Sequence, residues 1–130
     1  MERKPINPVS WSLRLGFDQG ELIEGHRRQL LCSGQDAVDA DGNPHHPADM
    51  AAQIEMALDN VEAVLAGADM SLANIVRLNA YTTDLDGLFR HWGTLTSRFG
   101  DSDGGFATSL IGVAQLPAGL LVMLEATAAD

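Results

Sequence analysis

Arg77, Asn79 and Tyr81 recur at two-residue spacing within a β-rich run, and in a strand that spacing points three polar side chains to one face. Arg77 admits two readings: a cation that binds a ligand, or half of a structural ion pair with Glu125 or with an acid of a neighbouring subunit, because buried arginines are normally paired. Glu125 lies in an apolar strand near the C-terminus and serves as a general base only if Arg77 does not neutralise it. The single cysteine, Cys32, sits mid-strand with no histidine beside it in sequence, so it reads as a small hydrophobe and not as a nucleophile. His45 and His46 are adjacent in a turn and do not share a face as the i, i+4 histidines of zinc sites do, so no metal site is predicted. His91 is flanked by core positions and reads as a packed or surface residue. Trp92 falls on an apolar helical stripe, where it serves either as core or as a pocket wall.

The elements that position these residues follow from periodicity and turn chemistry. Residues 1–14, with Pro5 and Pro8, read as an irregular arm anchored by Trp11, and residues 15–130 as one domain. Leu22-Ile23-Glu24 and Gln29 to Ser33 are short strands around the Gly25-His26-Arg27-Arg28 turn, which predicts a hairpin. Asp39 to Pro44 is dense in turn formers. A helix then begins with Pro47 at its first position and Asp49 in its first turn, and carries Met50, Ile54, Ala57, Leu58, Val61, Val64 and Leu65 on one stripe up to Gly67. Ile75 to Thr83 is a strand, and Asp84 caps a second helix with Leu85, Leu88, Phe89, Trp92, Leu95 and Phe99 on one face. Gly87 and Gly93 weaken that helix by about 1 kcal/mol each relative to alanine, so tertiary packing must hold it. Strands over about 107–113 and 120–128 close the chain.

Two amphipathic helices cover one face of such a sheet. The run 120–124 and Leu30-Leu31-Cys32 are apolar at every position, so their second face needs a cover that this sequence does not supply. Another subunit is the simplest cover, which predicts a homo-oligomer.

Eight basic against eighteen acidic side chains give a formal charge of −10, which repels phosphate backbones and argues against nucleic acid as a partner. His26-Arg27-Arg28 is the only basic knot and reads as a solvated turn. No apolar run is long enough to span a bilayer, and no apolar stretch follows Met1-Glu2-Arg3-Lys4-Pro5. With one cysteine and no internal disulfide, a reducing cytoplasm is the expected location.

The run Ala107-Thr108-Ser109-Leu110-Ile111-Gly112-Val113-Ala114-Gln115-Leu116-Pro117, followed by Leu120 to Ala128, resembles the closing strands of the RidA/YjgF family, which carry P-A-R-S, V-A-x-L-P and V-E-I-E-A-x-A. Gly16-Phe17-Asp18-Gln19-Gly20 is similar to that family's G-P-Y-x-Q-G segment, Cys32-Ser33-Gly34-Gln35 to its S-G-Q turn, and Gln53 to Leu65, with Asp59-Asn60-Val61, to its first helix. Val76 to Asp84 resembles its following strand. Five pieces in register cover the chain from about Leu15 to Ala128. The resemblance implies an α+β, chorismate-mutase-like fold with a mixed sheet and two helices on one face, and a homotrimer with ligand pockets in clefts between subunits. It also implies cofactor-free hydrolysis of reactive 2-imino or enamine acids to a keto acid and ammonia.

Carried over residue by residue, the resemblance places Ser33 and Glu125 in catalytic roles. Ser109 follows the position of the family's substrate-binding arginine, which Thr108 occupies here. Met123 stands for the first strand glutamate, Phe17 for a tyrosine and Trp92 for a helix asparagine. Arg77, with Asn79 beside it, is the cation that would stand in for the missing arginine from a different strand. A Thr–Met–Phe–Trp set implies a smaller and more apolar pocket, with a less anionic, aromatic or apolar ligand. The functional readings are therefore an imine or enamine deaminase with an altered pocket, or a catalytically silent trimer that binds a small metabolite. A nuclease or translation inhibitor, attributed to some relatives, is disfavoured by the charge.

Overall fold

The computed structural model describes residues 1–100 and 105–130. Strands β1 (Glu2–Ile6) and β2 (Gly20–Glu24) pair antiparallel, with Arg3 opposite Ile23. Strands β3 (Gln29–Gln35), β4 (Ile75–Thr82), β5 (Leu110–Gly112) and β6 (Val122–Ala129) form a mixed sheet in the order β3-β6-β4-β5, with β4 and β5 parallel. The first helix, α1 (Met50–Gly67), and the shorter α2 (Leu85–Arg90) and α3 (Trp92–Thr96) complete an α+β architecture.

The predicted hairpin between β2 and β3 does not form. β2 pairs with β1, and β3 pairs with β6, Leu30 lying opposite Ala128 and Cys32 opposite Ala126. The N-terminal arm is accordingly not irregular: residues 2–6 make a strand, and Trp11–Leu15 form a 3-10 helix closed by Gly16 at φ 80°, a left-handed conformation suited to glycine. Arg3 fastens this ribbon to the sheet. Its guanidinium donates to the carbonyls of Ala73 (2.6 Å), Ile75 (2.8 Å) and Gly105 (2.8 Å) and reaches Glu21 Oε1 at 3.4 Å. Burial, with Asp18 close by, raises the Glu21 carboxyl above its ordinary range against the pull of Arg3. The expected solvated basic turn is also tied down, because Arg28 pairs with the Asp130 carboxylate through two of its nitrogens.

Helix α1 starts later than Pro47 predicts. His46 and Ala48 take positive φ in the turn before it, and Asp49 is the N-cap, its carboxylate accepting from Ala52 N at 3.0 Å. Ile54, Ala57, Leu58, Val61 and Leu65 are fully buried, as their spacing requires. They pack with Leu78, Ala80, Val122 and Leu124, which face the helices from β4 and β6. The second helix breaks at His91, which closes α2 and opens α3, so the stripe loses phase. Leu88, Trp92 and Leu95 point inward, while Leu85 and Phe89 turn outward, Phe89 to 51% exposure.

Burial on β6 alternates, Val122, Leu124, Ala126 and Ala128 being buried and Met123, Glu125 and Thr127 only half-buried. The opposite face of the sheet is thus open in the protomer. It presents Leu31 (73% exposed), Arg77, Asn79, Tyr81, Met123, Glu125 and Thr127. Among the described residues no helix is long and apolar enough to cross a membrane.

Candidate functional site

Two neighbouring surfaces gather the residues singled out by sequence. The first is a pocket of about 470 Å³ lined by Trp11, Leu15, Phe17, Phe89, Trp92, Thr108, Ser109 and Leu110. The 3-10 helix 11–15 supplies one wall, the α2–α3 break another, and the chain entering β5 the floor. Trp11 and Phe17 meet edge to face with ring centroids 5.8 Å apart. Trp92 is both core and pocket wall: it is 6% exposed, and its indole N–H donates to the Leu15 carbonyl at 2.6 Å, fixing the 3-10 helix to α3. The Thr108 hydroxyl donates to the Leu78 carbonyl, so its one hydrogen is spent on the sheet and not on a ligand.

The second surface is the open sheet face. Glu125 lies opposite Asn79, and Met123 opposite Tyr81, across the β4–β6 ladder. The Tyr81 phenol donates to Glu125 Oε1 at 2.9 Å, and Asn79 Nδ2 approaches the same oxygen at 3.4 Å. The hydrogen bond to Glu125, then burial and the carboxylate's charge, raise the Tyr81 phenol above its ordinary range. Asn79 also links the two surfaces, since its Oδ1 accepts from Ser109 N at 3.2 Å. A polar chain Ser109–Asn79–Glu125–Tyr81 therefore runs from the pocket wall to the centre of the open face.

The Arg77 side chain makes no hydrogen bond or ion pair among the described residues, although its backbone is paired with β6 opposite Thr127. It lines a separate cleft of about 430 Å³ with Gln19, Glu21, Ile23, Ala107 and Thr127, so within one protomer it does not reach the aromatic pocket and does not pair with Glu125. Ser33 is exposed, on the far side of β6 from β4, at a bulge where Cys32 faces Ala126 but Gln35 faces Leu124. Met123 packs its thioether over the neighbouring Gly34, where a Cβ would collide with it. Burial raises the Cys32 thiol above its ordinary range, and among the described residues no cluster of three potential metal ligands occurs.

Phe17, Trp92, Thr108 and Ser109 thus share one pocket, Glu125 and Asn79 adjoin it through hydrogen bonds, Met123 and Arg77 lie outside it on the open sheet face, and Ser33 lies apart on β3. Trp11, Leu15, Phe89 and Leu110 in the pocket, and Tyr81 on the open face, are not predicted as site residues from the sequence. Phe89 reads as core in a continuous helical stripe, and the break at His91 turns it outward. Tyr81 reads onto the correct face, but only the β4–β6 register brings it to Glu125.

The family model described as Endoribonuclease L-PSP matches residues 19–130. The chain belongs to the RidA/YjgF family. Among its relatives, the 2-iminobutanoate/2-iminopropanoate deaminase of Escherichia coli strain K12 is 32% identical over 117 residues, covering 87% of this chain and 83% of that protein. A Yersinia pestis structure described as a protein of unknown function of the conserved Rid family, YyfB, superposes with a TM-score of 0.88 at 31% identity, covering 100% of both chains. The Escherichia coli YjgF gene product gives a TM-score of 0.70 at 32% identity over 88% of this chain and 87% of that one. The mixed α+β fold expected of a Rid protein is therefore present.

Proposed function

We propose that this Rid protein hydrolyses a small imine or enamine metabolite, with the aromatic pocket as the binding site and Glu125 as the group that orients the attacking water. The observation that carries this reading is the hydrogen-bonded continuity from Ser109 in the pocket wall through Asn79 to Glu125. Tyr81 and Asn79 both bond Oε1, which restrains the carboxylate, and Oε2 has no partner among the described residues and can accept from water. The chemistry needs no cofactor: water adds to the C=N carbon, and ammonia leaves as the carbonyl forms.

The open sheet face supports assembly as a homotrimer, with the pockets completed in clefts between subunits. Leu31, Tyr81 and Met123 on that face would be covered by a second copy. A similar deaminase from Escherichia coli, named for 2-iminobutanoate and 2-iminopropanoate, supports the reaction class. The alternative, a silent trimer that only binds a metabolite, is favoured by one observation: no basic side chain lines the aromatic pocket.

Ammonia release from freshly generated imines, measured beside the Glu125→Gln variant, separates the two readings. Turnover above the uncatalysed rate that falls ~10²-fold or more in the variant supports hydrolysis, in line with the usual worth of a positioned acid–base group. Wild-type turnover equal to the uncatalysed rate leaves the binder.

A further inference from the structure

We propose that the aromatic pocket takes a planar cation of the iminium type that carries no carboxylate. This deepens the reading above and rests on the same pocket.

Both tryptophans of the chain and two of its four phenylalanines converge on this one cavity. Aromatic faces carry negative potential and attract a cation seated over them within about 6 Å. The volume of about 470 Å³ falls in the range of small-molecule sites, roughly 300–1,000 Å³. No lysine, arginine or histidine lines it, so a carboxylate drawn inside would lose water without gaining a cation. Of the four side-chain donors in the lining, two are committed, Trp92 Nε1 to the Leu15 carbonyl and Thr108 Oγ1 to the Leu78 carbonyl. The Ser109 hydroxyl and the Trp11 indole N–H have no partner among the described residues. The one formal charge wired to the pocket is negative, Glu125 through Asn79, and the whole chain carries a formal charge of −10. Rings on the walls, a carboxylate behind them and no counter-cation make a site for positive charge.

The reaction suited to such a ligand balances without a further reactant. An aldehyde iminium, R–CH=NH2⁺, and water give R–CHO and NH4⁺. The C–N double bond is replaced by C=O, the water oxygen becomes the carbonyl oxygen, and both water protons leave on nitrogen. No electron is exchanged, and the cation is already the electrophile that the water needs.

Benzamidine, benzamide and benzoate test the charge directly, since they share a ring and a planar head and differ in charge. Binding to the full chain is read from tryptophan fluorescence, because both indoles line the cavity. The expected result is saturable binding with benzamidine at least about tenfold tighter than benzoate and benzamide between them. Benzoate binding as tightly as benzamidine, benzamide binding tightest, or no saturable change would overturn the proposal. The Ser109→Arg variant, at an exposed position that leaves the core intact, places a guanidinium at the wall and should weaken benzamidine and strengthen benzoate. An unchanged order in that variant would put the binding elsewhere and overturn the assignment. If the order holds while ammonia release is absent, the ligand class stands and the hydrolysis reading fails.

Discussion

Replacing Trp92 by phenylalanine tests whether one residue holds both the core and the pocket. The indole is 6% exposed and donates at 2.6 Å to the Leu15 carbonyl, the terminal residue of the 3-10 helix that carries Trp11. Phenylalanine keeps a ring but loses roughly 40 Å² of buried apolar surface, about 1 kcal/mol at ~25 cal/mol per Å². The space left behind adds about another 1 kcal/mol, because the surrounding side chains relax only in part. The lost hydrogen bond adds ~1 kcal/mol; it costs no more because Leu15 is 41% exposed and water can reach its carbonyl. The sum is about 3 kcal/mol. For a chain of this length, at ~3–4 °C per kcal/mol, the midpoint should fall by about 10 °C. Calorimetry at one fixed protein concentration reads this, since assembly makes the midpoint concentration-dependent. The released 3-10 helix should also cost benzamidine affinity. A variant within ~1 kcal/mol of the parent would refute the claim that Trp92 anchors this wall.

Three further outcomes are expected. Tyr81 is the only tyrosine, so phenolate absorbance titrates one group; Glu125→Gln should lower that pKa toward the ordinary phenol range, and an unchanged titration would break the Tyr81–Glu125 pair. Gly93→Ala, with open space at its Cβ, should stabilise by about 0.5–1 kcal/mol in urea, whereas Gly87→Ala should not, because its Cβ runs into the Asp84 carboxylate that caps α2; equal gains from both would refute the capping geometry. Asp39, bonded first by His45 and then by the Asn43 amide, is lowered to about 2. Because the folded value lies below the unfolded one, the stability from this contact is complete above the ordinary aspartate range and is lost as pH falls through about 2. A carboxyl resonance of Asp39 that titrates in the ordinary range would contradict it.

Local pattern carried much of the fold. The α1 stripe, the run over 75–82 and the Asp84 cap are set by near neighbours in sequence and were readable there. Pairing was less so. The hairpin signal around Gly25 to Arg28 rests on turn residues, but two long-range pairings compete with it: β1 pairs with β2 and is fastened by Arg3 to the main sheet, and β6 pairs with β3. In the site, Phe17, Trp92, Thr108 and Ser109 came from a resemblance that aligned them in register, and the structure brings them to one cavity. Trp11 and Phe89 were not legible because their place depends on a 3-10 helix and a helix break at His91, neither of which leaves a hydrophobic period. The role of Tyr81 is a register effect: a shift by one residue would send it to the opposite face.

Imine hydrolysis in the aromatic pocket requires that a ligand filling the pocket stop the reaction. The direct measurement is the inhibition by benzamidine of ammonia release from a carboxylate-free aldehyde imine, with its affinity taken independently from tryptophan fluorescence. The expected result is complete competitive inhibition, with an inhibition constant equal to the dissociation constant. Ammonia release that continues unchanged while the pocket is saturated would contradict it.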